Sequence, residues 1–248
     1  MNAVIDGPGA RWALAERGRA ALARAPGSLA IGASRIDWDG TQLLWRVDER
    51  CAPFPRRLRG EVRLTPLLTP ARRFDLDPDG AHTWRPLAPR ARVSVRLEQP
   101  RLSWEGEAYL DCNRGARALE QDFTGWSWSR APVRGGARVY YEVQHRRERC
   151  APLALQFEPD GSAWSAPLLP LARLPRSGWG LARGARSEKP AGTRLLRTML
   201  DAPFYVRSRI ETQLGGECVP LVHERLDLAR FSHPLVQWML PFRISRPR

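Results

Sequence analysis

The sequence predicts a mainly antiparallel β protein, on three observations. Asp-Gly pairs at Asp39-Gly40, Asp79-Gly80 and Asp160-Gly161 each have aromatic or β-branched residues on both sides. Glycine accepts the positive φ of a tight turn, so this is the pattern of hairpins. Apolar residues also alternate: Ile36 and Trp38 share one face, Val93, Val95 and Leu97 a second, Trp126 and Trp128 a third, as the two-residue period of a strand requires. Finally, the proline-rich stretch "APLLPLARLPRSGW" reads as an extended connection or edge segment, because proline cannot donate to a ladder.

Taken in order, the segment Arg11 to Ala25, "RWALAERGRAALARA", interrupts the strand pattern and predicts a short helix, weakened by Gly18. The hairpins follow, and a second short helix is expected from Leu226 to Leu240, with Pro234 inside it. "ERCAP" at 49–53 returns at 148–152, and Pro-Asp-Gly at 78–80 returns at 159–161. The two offsets differ, which two β domains with unequal loops accommodate.

At 248 residues the chain is long enough to bury a sizeable core. Its net charge of +14 makes an anionic partner, nucleic acid or phospholipid headgroups, physically reasonable. The arginines are spread along the chain, however, and Lys189 is the single lysine, which reads as solvated surface more than a dedicated patch. No apolar run approaches the roughly 18 to 20 residues needed to span a bilayer, and the first residues lack the apolar centre of a signal peptide. The expectation is a cytoplasmic protein, or one peripheral on the cytoplasmic face of a membrane. Cys51, Cys112, Cys150 and Cys218 form no Cys-x-x-Cys and no Cys/His set at ligand spacing, so zinc is not expected and the thiols are read as reduced and buried.

Residues two apart on a strand face the same way, so His82 projects with Trp84, Tyr109 with Asp111, and Trp126 with Trp128. Together these pairs hold an acid, a hydrogen-bond partner and several π faces. Such a set suits acid chemistry on an apolar molecule, since an apolar cavity disfavours a carboxylate anion and aromatic faces attract a cation. Plainer readings stand beside it. Asp111 before Cys-Asn-Arg-Gly also fits an Asx-turn, Trp126 and Trp128 fit a core, and His82 beside a turn fits an exposed loop. His145 in "QHRRER" reads as solvated, while His223 and His233 have no metal-ligand spacing. Neither a phosphate loop nor a Gly-x-Ser-x-Gly elbow occurs, and "WSWSR" with "HRRER" lacks any oligonucleotide-binding fingerprint. No nucleic-acid partner is expected.

The stretches "RWALAERGRAAL", "LRGEVRLTP", "APRARVSVRLEQPRLSWEGEAYLDCNRGARALEQDFTGWSWSRAPVRGGARVYY", "RSGWG" and "DAPFYVRSRIETQLGGECVPLVHERLDLARFSHPLVQWMLPFR" carry a resemblance over essentially the whole chain. The sequence resembles the acyclic carotenoid 1,2-hydratase family, also called hydroxyneurosporene synthases. The resemblance implies an all-β fold of two tandem lipocalin-like antiparallel β-barrels. Residues 1–92 would be the C-terminal part of the first and 93–248 the second, with one or two short helices. "MNAVIDGPGARWAL" aligns with an interior part of family members, so the first barrel is expected to lack its N-terminal strands. The implied activity is hydration of the terminal C1–C2 double bond of an acyclic carotenoid such as neurosporene or lycopene, with no cofactor and no metal. Asp111 matches the family's proton donor, Tyr109 its neighbour on the strand, and His82 and Trp84 the other site positions. The implied partners are the carotenoid, water and an anionic membrane surface. A lipocalin-like carrier that binds a polyene unchanged is the alternative.

Overall fold

The computed structural model describes residues 1–7, 9–52 and 54–245. They group into two compact units. Met1–Leu67, Ala91–Tyr109 and Gln237–Arg248 form the first, Leu68–Arg90 and Leu110–Val236 the second.

The first unit opens with β1 (Asn2–Ile5) and β2 (Arg11–Ala15), which pair antiparallel. A 3-10 turn at Arg19–Ala21 leads to β3 (Leu22–Ala25), and β4 (Ser28–Ile31), β5 (Ser34–Trp38), β6 (Leu43–Arg50) and β7 (Arg57–Pro66) follow as a meander. The helix expected over Arg11–Ala25 does not form. Ala13 and Ala15 are buried at alternate positions while Trp12 pairs with Val4 across the ladder, and this two-residue burial period overrides the segment's helical propensity. The Asp39-Gly40 turn joins β5 to β6, with Gly40 at φ 100 and Asp39 Oδ1 accepting from the Thr41 and Gln42 amides at 2.8 and 2.7 Å.

After β8 (Phe74–Asp75), the Asp79-Gly80 turn leads into the long strands β9 (His82–Gln99) and β10 (Leu102–Gly115). Residues 82–90 of β9 belong to the second unit and 91–99 to the first. In the first unit Val93, Val95 and Leu97 bury the face expected of them and meet Val47, Leu58 and Cys51 in a core. Each such side chain contributes roughly 1.5–3 kcal/mol on burial. Gly60 makes a bulge there at φ 149, where a Cβ would stand 2.4 Å from the Arg96 carbonyl oxygen. No larger residue fits that backbone without a shift.

The second unit continues through α1 (Leu119–Asp122), β11 (Phe123–Val133), β12 (Gly136–His145), β13 (Leu153–Phe157), β14 (Ala163–Ser165), β15 (Leu171–Leu174), β16 (Arg183–Arg186), β17 (Arg194–Asp201), β18 (Tyr205–Leu214) and β19 (Glu217–Asp227). Its main sheet has the order β14-β13-β12-β11-β19-β18-β17, while β15, from the proline-rich segment, pairs with β16 in a separate ribbon. The other large sheet runs β10-β9-β7-β6-β5-β4-β3. Both orders are open, and among the described residues the end strands of neither sheet pair with each other. One face of the second unit's sheet holds Ala131, Tyr140, Ile210, Leu214, Val219 and Leu221 in a core.

Where one helix is expected over Leu226–Leu240, the chain ends β19 at Asp227 and then forms two short helices, α2 (Leu228–Phe231) and α3 (Pro234–Met239). Asp227 caps α2 by accepting the Arg230 amide at 2.9 Å. Pro234 opens α3, the position where its missing N–H has no bond to lose. The last strand, β20 (Ile244–Ser245), lies parallel to β2. All four cysteines are free, but only Cys51 is buried, with Cys112 and Cys150 intermediate and Cys218 exposed. Among the described residues no helix is long and apolar enough to cross a membrane.

Candidate functional site

Asp111 lies inside β10, four residues before the strand ends at Gly115. The Asx-turn reading is therefore wrong: a local turn preference yields to the ladder with β9. Trp84, fully buried on β9, donates its indole Nε1–H to Asp111 Oδ2 at 2.8 Å. Such a hydrogen bond contributes about 0.5–1.5 kcal/mol between neutral groups and about 1.5–3 kcal/mol once the acceptor carries charge. The Trp84 ring is itself held by Phe74 at 5.5 Å and by the edge of Tyr141 at 5.5 Å. Two of the expected site residues thus meet directly.

The floor beneath them comes from the main sheet of the second unit. Its register aligns Tyr141 with Trp128, Trp128 with Glu224, and Glu224 with Arg207, so one rung crosses β12, β11, β19 and β18. The next rung on that face sets Trp126 opposite Leu226, which faces Tyr205. Residues two apart share a face, so Trp126 lies beside this rung and touches Tyr141 at 5.9 Å and Tyr205 at 6.3 Å between ring centres. The tryptophan pair accordingly divides its labour. Trp128 is buried in the packing, while Trp126 is half-buried among the tyrosines.

Burial pushes the Tyr141 phenol up, and the charges of Asp111 and Glu224 push it further. Burial raises Tyr205 as well, followed by the charge of Glu224. Both phenols therefore remain neutral hydrogen-bonding groups at neutral pH. Arg207 stands against Glu224, its Nε 2.7 Å from Oε1 and its Nη2 on the same oxygen. Burial opposes the Arg207 charge, but Glu224, Tyr205 and Asp111 together outweigh it and raise its pKa.

His82 is placed differently. It is the first residue of β9 and only 1% exposed, not the exposed loop histidine its neighbours suggested. Its Nε2 bonds Asp122 Oδ2 at 2.7 Å and its amide donates to Asp77 Oδ1 at 2.9 Å. Arg117 grips the same Asp122 oxygen and reaches Asp79 at 2.9 Å, and its hydrogen bond holds the Asp122 carboxyl below the usual range. A Cβ at Gly115 would stand 2.7 Å from His82 Nδ1, so the close approach needs glycine. Asp77, His82 and Asp122 bring potential metal-ligand atoms within 4.8 Å of one another. Arg117 already supplies positive charge to Asp122 of that set, which forms a hydrogen-bond knot at the start of β9. Outside it, Asp79, Arg117, Asp122 and His145 line a cleft of ≈ 250 Å³. His145 is half-buried against Phe123 and accepts the Glu148 amide at 3.1 Å, more constrained than its solvated reading. Tyr109 lies two residues before Asp111 on β10, half-buried, and groups with the first unit.

Sequence reasoning did not single out Tyr141, Tyr205, Arg207, Glu224 or Asp122. A signal existed for the first four. Two tight hairpins, through Arg134-Gly135 and Gly215-Gly216, fix the register of β11 on β12 and of β18 on β19.

Comparison with known proteins bears on what this arrangement is for. The family model described as carotenoid hydratase CrtC matches residues 1–248. An acyclic carotenoid 1,2-hydratase of Thiocapsa roseopersicina is 48% identical over 248 residues, which are 99% of this chain and 61% of that protein. The same-named protein of Cereibacter sphaeroides is 40% identical over 247 residues, 99% of this chain and 88% of its own length. That of Rubrivivax gelatinosus is 38% identical over 248 residues, again 61% of the longer protein. With a match along its whole length and relatives at these identities, the chain belongs to the carotenoid hydratase family.

Proposed function

We propose that this chain adds water across the terminal C1–C2 double bond of an acyclic carotenoid such as neurosporene or lycopene, without a cofactor, in carotenoid biosynthesis. The observation that carries this reading is the buried indole N–H of Trp84 on Asp111 Oδ2 at 2.8 Å, with Tyr141 and Trp126 alongside. Asp111, protonated, donates to C2. The π electrons of the alkene form the new C–H bond, positive charge settles on the tertiary C1, and a water lone pair closes the C1–O bond to give a tertiary alcohol.

Each neighbour has a task in that sequence. As Asp111 gives up its proton it gains negative charge, and the Trp84 N–H stabilises that charge most in the transition state. The ring faces of Trp84, Trp126 and Tyr141 attract the developing cation. His82 is a positioning residue: its bond to Asp122 anchors the start of β9, and so sets the direction of Trp84 two residues on. Tyr109 shares its strand face with Asp111 and completes the set carried over from the family.

A polyene is dissolved in lipid, and the same reading has the protein in the cytoplasm or peripheral on the cytoplasmic face of a membrane. The net charge of +14 supports contact with anionic headgroups. So do the exposed rings of Trp238 and Phe242, stacked edge to face at 5.2 Å.

The test is incubation of purified protein with lycopene or neurosporene in lipid or detergent. The expected product gains the mass of one water, and Asp111→Asn abolishes it. Pigment that binds and returns unchanged would make the protein a lipocalin-like carrier instead.

A further inference from the structure

Addition of water to a carbocation leaves a proton on the new C–O oxygen, and a site walled by aromatic rings must provide a group to receive it. We propose that Glu224 is that group, the second carboxylate of the site and the base for the attacking water; the inference rests on the hydratase reading above.

Three features of the second unit support it. Glu224 lies on the rung that joins Tyr141 to Arg207, so it faces the same side of the sheet as Trp126 and Tyr141. Its side chain is 13% exposed, and Arg207 meets it at Oε1. Tyr141 is the common neighbour: it meets the Trp84 ring that holds Asp111, and its phenol responds to the charges of both Asp111 and Glu224. Two carboxylates in unlike surroundings, one bonded to a neutral indole and one to a guanidinium, match the division between an acid and a base.

The step balances. Asp111 loses its proton to C2 and becomes a carboxylate. The water oxygen forms the C1–O bond and its proton passes to Glu224, which becomes a carboxylic acid. Return of that proton from Glu224 to Asp111, through solvent or the Tyr141 hydroxyl, restores the starting state with no net change in the protein.

The deciding variant is Glu224→Gln, which keeps shape and hydrogen bonding. It is expected to lower turnover at least ~100-fold, the scale of a lost general base, while the spectral shift of bound lycopene stays as in the parent. Added formate is expected to restore part of the activity in Glu224→Ala. The structural control is Glu142→Gln, because Glu142 makes a comparable pair with Arg186 at 2.9 and 2.7 Å but faces the other side of β12 from Tyr141; its turnover should not change. Parent-like turnover in Glu224→Gln, with Asp111→Asn inactive, would mean that Asp111 takes the proton back itself and would overturn the inference alone. Loss of pigment binding together with activity, without formate rescue, would reduce Glu224 to a structural ion pair. A parent protein that binds pigment and forms no alcohol overturns the hydratase reading and this inference with it.

Discussion

Replacing Trp84 by phenylalanine separates the hydrogen bond from the ring. Phenylalanine keeps an aromatic face toward Phe74 and Tyr141, both 5.5 Å away in the parent, but removes the N–H that meets Asp111 Oδ2 at 2.8 Å. With Asp111 protonated at rest, the lost bond is worth about 0.5–1.5 kcal/mol. The smaller ring leaves a void at a fully buried position, which adds about 1 kcal/mol. Stability should therefore fall by roughly 1.5–2.5 kcal/mol, read as a lower urea midpoint at constant slope. Catalysis loses the hydrogen bond alone. Because that bond strengthens by about 1–1.5 kcal/mol as Asp111 becomes anionic, turnover should drop about 5- to 13-fold at nearly constant KM. Product formed per unit time, separated by chromatography and weighed by mass, gives the second number. If Trp84→Phe loses less than about 0.5 kcal/mol and keeps parent turnover, the indole N–H supports neither the fold nor the acid.

Three further outcomes follow from the geometry. His223 is buried, and burial holds its imidazole down at about 4 against 6.5 in the unfolded chain. Between those values the unfolded state binds the extra proton, so this group's stabilisation is full above pH 6.5 and is lost as pH falls toward 4. The loss is about 3 kcal/mol, and His223→Asn should flatten it in urea titrations at pH 7 and 4.5. Gly60→Ala puts a Cβ 2.4 Å from the Arg96 carbonyl at φ 149; a loss of at least about 2 kcal/mol is expected, and an unchanged thermal midpoint would refute the bulge. Serine at both Trp238 and Phe242 should weaken sedimentation with anionic vesicles and leave turnover on detergent-dissolved substrate alone.

The hairpins were legible because their cause is local. Asp39-Gly40, Asp79-Gly80 and Asp160-Gly161 all join antiparallel neighbours, with φ of 100, 66 and 85 at the glycines. The face shared by Val93, Val95 and Leu97 was legible for the same reason, since alternation needs only the next two residues. Where local cues competed with pairing, pairing won. "RWALA" became a strand on β1, and Asp111 became a strand residue against β9. The meeting of Trp84 with Asp111 spans 27 positions on two long strands, and no short-range pattern specifies it; the family resemblance supplied those names. Arg207 opposite Glu224 was readable in principle. Counting outward from Gly215-Gly216, with φ of 65 and 79, pairs Leu214 with Glu217 and reaches Arg207 and Glu224 in step.

The rung beneath Asp111 also has a history in time. Trp128 meets Tyr141 through a tight hairpin, but meets Glu224 only when β11 pairs with β19; the neighbouring Ser127 and His223 stand 96 residues apart. Closing a loop of that length is slow compared with closing a hairpin. During synthesis, the two carboxylates cannot share a surface until β19 has left the ribosome. Appearance of the hydrated product in a refolding reaction should consequently lag the β-sheet signal, and would report the completion of the second unit's longest-range strand pairing.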